Sequence, residues 1–384
     1  MILSAIAILI IILYLILIGA LVYGFDKIEE FKLQDLPART KFTIAIPFRN
    51  EAEHLPKLLR SISNLNYPKS LFEIIFVDDA SEDESVAIIK NYLHKIKSSK
   101  DFDSANPIRI ITNQSNSNSA KKDAITSAIK VSAFEWIITT DADCMLPKYW
   151  LDSFDEYIQT EHSDCIVAPV SYHSTDSFFK RFQVLDILSL QGATLGAFGI
   201  KHPFLCNGAN FGYRKSAFEA VNGFTGNTTI ASGDDIFLLE KFVKHNAKKV
   251  HYLKSKHAIV TTNPTESLSK LIHQRLRWAS KTSRYNTRFT KAVGVLVFLA
   301  NLVCATFIPL VLLKAIPARV AIALFAIKFF IDFLLLFKTT RFFKQETLLL
   351  TYVFSSLIYP FFSVYIVLLT PFKSYEWKGR TFRK

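Results

Sequence analysis

The chain has few cysteines: Cys144, Cys165, Cys206 and Cys304 are its four in 384 residues, scattered without metal-ligand spacing. A disulfide framework is therefore not expected, and reduced thiols in a cytosolic compartment fit better. No G-x-G-x-x-G and no G-x-x-x-x-G-K-[ST] occurs, which disfavours a dinucleotide dehydrogenase and a P-loop NTPase. There is no internal repeat and no long low-complexity tract. Ser115 to Ser119 is only a short Asn/Ser loop.

Apolar residues make up 50% of the chain, with 34 Phe, and its mean hydropathy is +0.23. That is high for a soluble domain and points to membrane segments. The net charge of +13 could serve nucleic acid or an anionic membrane surface. With spanning segments present, the membrane is the simpler partner, and nucleic acid is not expected. Residues 2–23 form an uncharged run long enough to cross a bilayer, which takes about 20 residues. A cleaved signal peptide fits poorly, because no basic stretch precedes the run and no cleavage site comes after it. Lys27, Lys32, Arg39 and Lys41 place residue 25 onward in the cytoplasm by the positive-inside rule. Further apolar segments lie near 292–313, 316–337 and 347–370. Lys328 and Asp332 stand one helical turn apart in the second of these and are read as a structural pair. Three full crossings would put the basic tail (Lys373, Lys378, Arg380, Arg383, Lys384) outside. A cytoplasmic tail is expected instead, with one segment interfacial or re-entrant.

Between residues 40 and about 170, strand-like runs (42–47, 73–77, 108–112, 136–140, 165–170) alternate with helical spacing (51–64, 84–94, 121–133). This predicts an α/β fold with a mostly parallel, doubly wound sheet. Polar clusters sit at strand ends: Pro47-Phe-Arg-Asn-Glu51, Val77-Asp-Asp-Ala-Ser81 and Asp141-Ala-Asp143. Ligands of open parallel sheets gather at that edge. Asn50 and Ser81 could simply cap helices. Acids at two strand ends of one sheet nevertheless need a cation or a donor-rich ligand between them.

Taken with Lys121 in Ala-Lys-Lys-Asp-Ala124, Cys206-Asn-Gly-Ala-Asn210, Gly233-Asp-Asp235 and Gln274-Arg-Leu-Arg-Trp278, these motifs run in order over roughly 42–278. The chain resembles membrane-bound family 2 glycosyltransferases of the GT-A, Rossmann-like fold, and is similar to ceramide glucosyltransferases and to cellulose and hyaluronan synthases. The resemblance implies Asp79 with Asp78 at the nucleotide base, beside Pro47, Arg49 and Glu51. It implies Lys121 and Asp141 at the donor, Asp143 on Mg2+ or Mn2+, and Asp235 as general base. Arg277 would hold the diphosphate, and Asn207, Gly208, Asp234 and Trp278 would face the acceptor.

The chemistry agrees. A leaving diphosphate needs neutralising, and one carboxylate must take the acceptor proton. A single base without a covalent intermediate implies inversion. Asp234 or Asp235 could also cap the helix read over 234–243, and the two roles can coexist. The expected organisation is a membrane helix (1–25), a cytoplasmic catalytic domain (40–265), an interfacial basic helix (266–290), membrane helices (291–370) and a basic tail (371–384). Residues 171–205 read equally as an amphipathic helix on the bilayer or as a core-facing one. The expected reaction moves a sugar from a nucleotide-sugar, read as a UDP-sugar, to a lipid or lipid-linked glycan. The expected location is a bacterial inner membrane. A processive polysaccharide synthase and a catalytically inactive nucleotide-binding scaffold are the alternatives.

Overall fold

A computed structural model describes residues 1–97, 108–115, 117–173, 177–230 and 232–382. Residue 116 of the Asn/Ser loop and Arg383 and Lys384 of the basic tail lie outside the described residues. In chain order the elements are α1 (Ile2–Lys27), β1 (Phe42–Phe48), α2 (Leu55–Ser63), β2 (Phe72–Asp78), α3 (Ser85–Lys97), β3 (Ile108–Thr112), α4 (Ala120–Val131), β4 (Trp136–Thr139), α5 (Trp150–Thr160), β5 (Cys165–Val167), β6 (Val170–Tyr172), α6 (Phe178–Gly199), β7 (Phe211–Arg214), α7 (Lys215–Ala220), α8 (Ile236–Asn246), β8 (Val250–Tyr252), β9 (Val260–Thr262), α9 (Leu268–Ser280), α10 (Arg288–Leu312), α11 (Ala318–Phe342), α12 (Tyr352–Leu369), β10 (Tyr375–Trp377) and β11 (Arg380–Phe382). They fall into two compact units: an α/β unit of Glu29–Tyr172 with Cys206–Asn263, and a helical unit of Met1–Ile28, His173–Leu205 and Pro264–Lys384.

The α/β unit is built on a seven-stranded sheet in the order β3-β2-β1-β4-β7-β5-β8. The first four strands are mutually parallel, and β7 runs antiparallel to β4 and β5. Strands such as Phe42-Thr-Ile-Ala-Ile are buried on both faces, as an apolar run without alternation requires. The register pairs Phe48 with Asp78, Asp78 with Thr112 and Ala45 with Thr139, so the carboxyl ends of β1 to β4 share one edge. Asp155 and Glu156 of α5 tie the preceding segment to the unit by accepting from the peptide N–H groups of Gln34, Leu36, Arg39 and Thr40.

Two local expectations are corrected. The strand read over 165–170 is two strands, β5 and β6, in different sheets. Pro169 has no N–H to give to a ladder, and Ala168 and Pro169 instead bond Asn210 and Val260. The helix read from Glu51 begins at Leu55. The peptide N–H groups of Glu51 and Ala52 are taken by Ser85 Oγ and Asp83 Oδ2, which holds residues 51–54 in a turn.

In the helical unit, α1 crosses α6 at glycines. A Cβ on Gly24 would lie 2.0 Å from the Gly196 carbonyl oxygen, and one on Gly199 would lie 1.8 Å from that of Gly24. Only bare backbone permits so close an approach. The two readings of 171–205 separate here: α6 buries residues on all sides, from Phe182 to Phe198, and is a core helix of this unit. His173–Leu205 therefore groups with the long apolar helices, whereas the sequence alone keeps 40–265 together. Four helical segments, Ile2–Lys27, Arg288–Leu312, Ala318–Phe342 and Glu346–Leu369, are long and apolar enough to cross a membrane. Length and composition do not single out any of the last three as the interfacial one.

The basic helix read over 266–290 ends at Ser280, and α10 restarts at Arg288 behind a Thr287 cap that accepts from Thr290 N–H. Lys378 and Gly379, both at positive φ (51° and 74°), close a tight hairpin of β10 and β11. It docks on α9, where the Glu376 N–H donates to His273 Nδ1 and the Arg277 guanidinium lies 5.1 Å from the Trp377 ring centre.

Candidate active site

The carboxyl edge of β1 to β4 gathers most of the expected site within the α/β unit. After β1 and β2 the chain turns at Asn50 and Ala80, both left-handed (φ 51° and 57°). Asn50 Oδ1 accepts from Glu82 N–H, and Asp78 Oδ1 accepts from Ser81 N–H, so Asp78 serves its own turn. Arg49 reaches across: its Nη1 donates to the carbonyls of Asp79 and Ala80, and its Nη2 meets Glu82 at 2.8 Å. Arg49 thus braces the loop that presents Asp79. The Asp79 side chain is buried and accepts from Asn113 Nδ2 at 2.8 Å. Asn113, one residue beyond β3, also donates to Ala120 O, and its own Oδ1 is buried without a hydrogen-bond partner among the described residues. Pro47 lies within β1, and Glu51 is buried in the turn after it.

In the turn after β4, Ala142 and Cys144 are buried in the core, while Asp141 and Asp143 remain partly exposed. Lys121, in the first turn of α4, meets Asp141 Oδ1 at 2.6 Å and Asp234 Oδ2 at 3.3 Å. Burial works against its charge, but Asp141 and Asp234 outweigh that and raise its pKa well above the ordinary lysine value. Asp143 is half-buried. Its Oδ1 lies 3.7 Å from the Cys144 thiol, and it has no ion-pair partner among the described residues. Burial, reinforced by the charges of Asp143 and Asp141, pushes the Cys144 thiol up.

The Asn207-Gly-Ala-Asn210 turn closes the far side. Asn207 Oδ1 accepts from Ala209 N–H, and Thr139 Oγ1 donates to Gly208 O. A Cβ on Gly208 would lie 2.8 Å from Asp234 Oδ2 and 3.4 Å from Lys121 Nζ, so a side chain there would push the Asp234 carboxylate aside. Asn210 is wholly buried, donating to Pro169 O and Ala258 O and accepting from Trp150 Nε1. Asp235 caps α8, with Oδ1 accepting from Ile236 N–H, while its Oδ2 accepts from Gly208 N–H at 3.3 Å. Lys122, pointing away from Lys121, is buried and donates to Asn227 O and Ile230 O, which fixes the loop leading to Asp234.

Sequence reading missed Asn113 and Thr139, whose only signal is a place at a strand end, and gave no separate role to Lys122 and Asn210, which stand inside the Ala-Lys-Lys-Asp-Ala124 and Asn207-Gly-Ala-Asn210 motifs. Arg277 and Trp278 lie on α9 of the helical unit. There the Arg275 guanidinium stacks 4.1 Å from the Trp278 ring centre and pairs with Asp186 at 2.6 Å.

A divalent cation fits this donor set. Mg2+ and Mn2+ sites of this kind use one or two carboxylates and complete their shell with substrate phosphates and water. Asp143 offers such a carboxylate. Among the described residues no group of three or more His, Cys, Asp and Glu forms a cage that would hold a metal on protein ligands alone.

Comparison with known proteins bears on these observations. The family model described as glycosyl transferase family 2 matches residues 43–221, and that of glycosyl transferase family group 2 matches residues 136–371. The chain is 26% identical over 127 residues to a poly(ribitol-phosphate) beta-N-acetylglucosaminyltransferase of Staphylococcus aureus, covering 33% of this chain and 20% of that relative. It is 25% identical over 243 residues to the beta-monoglucosyldiacylglycerol synthase of Trichormus variabilis, covering 62% of this chain and 48% of the relative. Its fold is similar to that of the mannosyltransferase PcManGT from Pyrobaculum calidifontis, solved with GDP-Man and Mn2+, at a TM-score of 0.58 and 15% identity over 92% of this chain and 98% of that one. The second family model spans more than half of the chain, across both the sheet edge and the helices after it, so the chain belongs to glycosyltransferase family 2.

Proposed function

We propose that the protein is an inverting, metal-dependent glycosyltransferase that moves one sugar from a nucleotide-sugar, read as a UDP-sugar, to a lipid or lipid-linked acceptor at a membrane. The observation that carries this is the state of the acids at the sheet edge. Asp141 and Asp234 are joined through Lys121, while Asp143 beside them keeps a carboxylate without an ion-pair partner among the described residues.

In this reading Asp79, braced by Arg49 and Asn113, receives the base, with Asp78, Pro47 and Glu51 shaping the loops around it. Lys121 and Asp141 orient the donor. A Mg2+ or Mn2+ held by Asp143 would neutralise charge on the leaving diphosphate. Asp235 takes the acceptor proton, and its hydrogen bonds from Ile236 N–H and Gly208 N–H fix the direction in which that carboxylate faces. Asn207, Gly208, Asp234 and Trp278 border the acceptor, and Arg277 supports the diphosphate. A lipid acceptor is supported by the four apolar helices and by the glycerolipid named in one relative. In this reading the α/β unit faces the cytoplasm at a bacterial inner membrane, and the basic residues after α1 support that side.

The test is release of nucleoside diphosphate from a panel of nucleotide-sugars by the full chain in membranes, with Mg2+ or Mn2+ and with or without lipid extract. Turnover of one donor that depends on lipid, and that is lost in Asp143→Ala and Asp235→Asn, supports the reading. A long polymer as product would favour a processive synthase. Nucleotide binding without turnover would favour a scaffold.

A further inference from the structure

The helical unit holds a partly open pocket of about 150 Å3 bordered by α1, α6, α10, α11 and α12. Its wall is chiefly apolar, with Leu185, Leu190, Phe325 and Leu336 among the lining residues. The apolar part of a space of this size has room for about a benzene-sized piece of hydrocarbon. Several polar groups also face it, and inside a bilayer each of these needs a partner.

The charged groups have their partners. Lys328 Nζ lies 2.6 Å from Asp332 Oδ2, and Tyr14 OH donates to Asp332 Oδ1 at 2.7 Å. Asp186, at the wall, pairs with Arg275 at 2.6 Å. The site therefore presents no net charge, and a phosphate there would have to break one of these pairs. Ser355 is different. It is 5% exposed and lines the cavity, yet its buried Oγ has no hydrogen-bond partner among the described residues. A buried hydroxyl left unbonded is unfavourable, and a ligand with a hydroxyl or ester oxygen would satisfy it.

We propose that this cavity binds a neutral, hydroxyl-bearing membrane lipid of the diacylglycerol kind, with a hydrocarbon segment against Leu185, Leu190 and Phe325 and an oxygen at Ser355. The binding stands on the cavity alone. Only the further step, that this lipid is the sugar acceptor, rests on the function proposed above. Either a substrate or a resident lipid has the chemistry required.

The experiment uses the full chain in phosphatidylcholine–phosphatidylglycerol vesicles with two photoactivatable probes. One is a diacylglycerol with a diazirine in its chain, and the other is the phosphatidylcholine with the same chain. The diacylglycerol probe is expected to label α6, α11 and α12 around the cavity about tenfold more strongly, since one lost or blocked hydrogen-bonded contact is worth about that factor. Ser355→Phe, which fills the cavity, should lower that labelling by a similar factor. Phe354→Leu, on the exposed side of α12, should not. Because Ser355→Phe can disturb packing, Ser355→Ala is run beside it, with a several-fold loss expected at an unchanged melting temperature. Equal labelling by the two probes, or labelling indifferent to both Ser355 variants, overturns the proposal. Nucleoside diphosphate release is measured on the same samples. Release without cavity labelling sinks the lipid site and leaves the transferase reading standing, and labelling without release does the reverse. Where both hold, sugar attached to the probe identifies the acceptor, and a probe recovered unchanged identifies a resident lipid.

Discussion

Asp141 and Asp234, from opposite ends of the site, share a single cation: Lys121 Nζ lies 2.6 Å from the first and 3.3 Å from the second. Without that ammonium the two carboxylates and neighbouring Asp235 would repel one another across Gly208. Lys121→Met should leave the sheet folded and lower transfer by about 100-fold or more, the scale on which preorganised charge acts. The pair also has a pH signature. Its partners raise the Lys121 pKa above the ordinary 10.5. A raised folded-state value means that the stabilisation is complete below the unfolded value and disappears only as pH climbs through the folded one. Melting temperatures measured between pH 8 and 10 should show no loss from this pair in the parent. The gap to Lys121→Met should stay constant over that range, and a gap that closes by pH 10 would contradict the assignment.

Asp235 caps α8 and, in the proposed reaction, is also the base, and substitution can separate the two. Its oxygens accept from Ile236 N–H and Gly208 N–H, so it caps α8 whether or not it accepts a proton. Asp235→Asn keeps one carbonyl oxygen for Ile236 N–H, gives up the longer contact from Gly208 N–H, and removes the proposed base. A loss of about 100- to 10,000-fold in kcat is expected, with little change in melting temperature. Asp235→Ala should lose the cap too, at about 1 kcal/mol. An Asp235→Asn enzyme retaining near-parental kcat would assign the base elsewhere.

Much of this arrangement was legible in the sequence because two signals are strong and local. Uninterrupted runs such as Phe42–Ile46 and Ile74–Val77 declare strands buried on both faces, and the acids just beyond them mark the edge where ligands collect. The parts that were not legible depend on partners distant in sequence. Lys180, Arg181 and Asp186 among the apolar residues of 171–205 left the amphipathic and core-facing readings of α6 equal. Asp186 is in fact neutralised by Arg275 from 89 residues away, and the helix can then be buried. The Pro169 break was readable in principle, since a missing N–H is a local fact. The Asn113 contact with Asp79 was not, because it needs the β2–β3 register. The hairpin turn at Lys378-Gly379 lay in what the sequence showed only as a basic tail, because Lys-Gly is not a usual hairpin signal, and its docking on α9 depends on residues about 100 positions away.

Asp143 is expected to govern metal use. Asp143→Asn should weaken nucleotide-sugar binding measured with Mn2+ by about tenfold or more and leave binding in chelator nearly unchanged, since a charged hydrogen-bonding or ligating group is worth at least that much. Parent and variant responding equally to Mn2+ in calorimetry would remove Asp143 from the metal site.

The cysteines should report the packing. Burial, with the charges of Asp143 and Asp141, raises the Cys144 thiol, and burial with Asp164 raises that of Cys165. The thiolate is the reactive form, so both should resist iodoacetamide at pH 8 in the folded protein, while the part-exposed Cys206 reacts first. Mass spectrometry of alkylated peptides checks the order, and early modification of Cys144 would show the sheet edge to be open.

Lys328 and Asp332 test what a buried ion pair does among long apolar helices. Lys328 is 6% exposed, bonded to Asp332 at 2.6 Å, with its ammonium 5.0 Å from the Tyr14 ring centre. Taking two charges out of water is so unfavourable that the attraction between them barely offsets it, whereas leaving one charge alone is far worse. Lys328→Met should therefore destabilise the helical unit by about 3–5 kcal/mol, since Asp332 then keeps only the Tyr14 hydroxyl. Lys328→Met combined with Asp332→Leu should recover most of that loss, because a hydrophobic pair of similar volume replaces a neutralised one. Detergent unfolding curves of the two single variants and the double give the coupling directly. If the double falls as far as the sum of the singles, the pair is not a structural unit, and each charge must be serving a different partner.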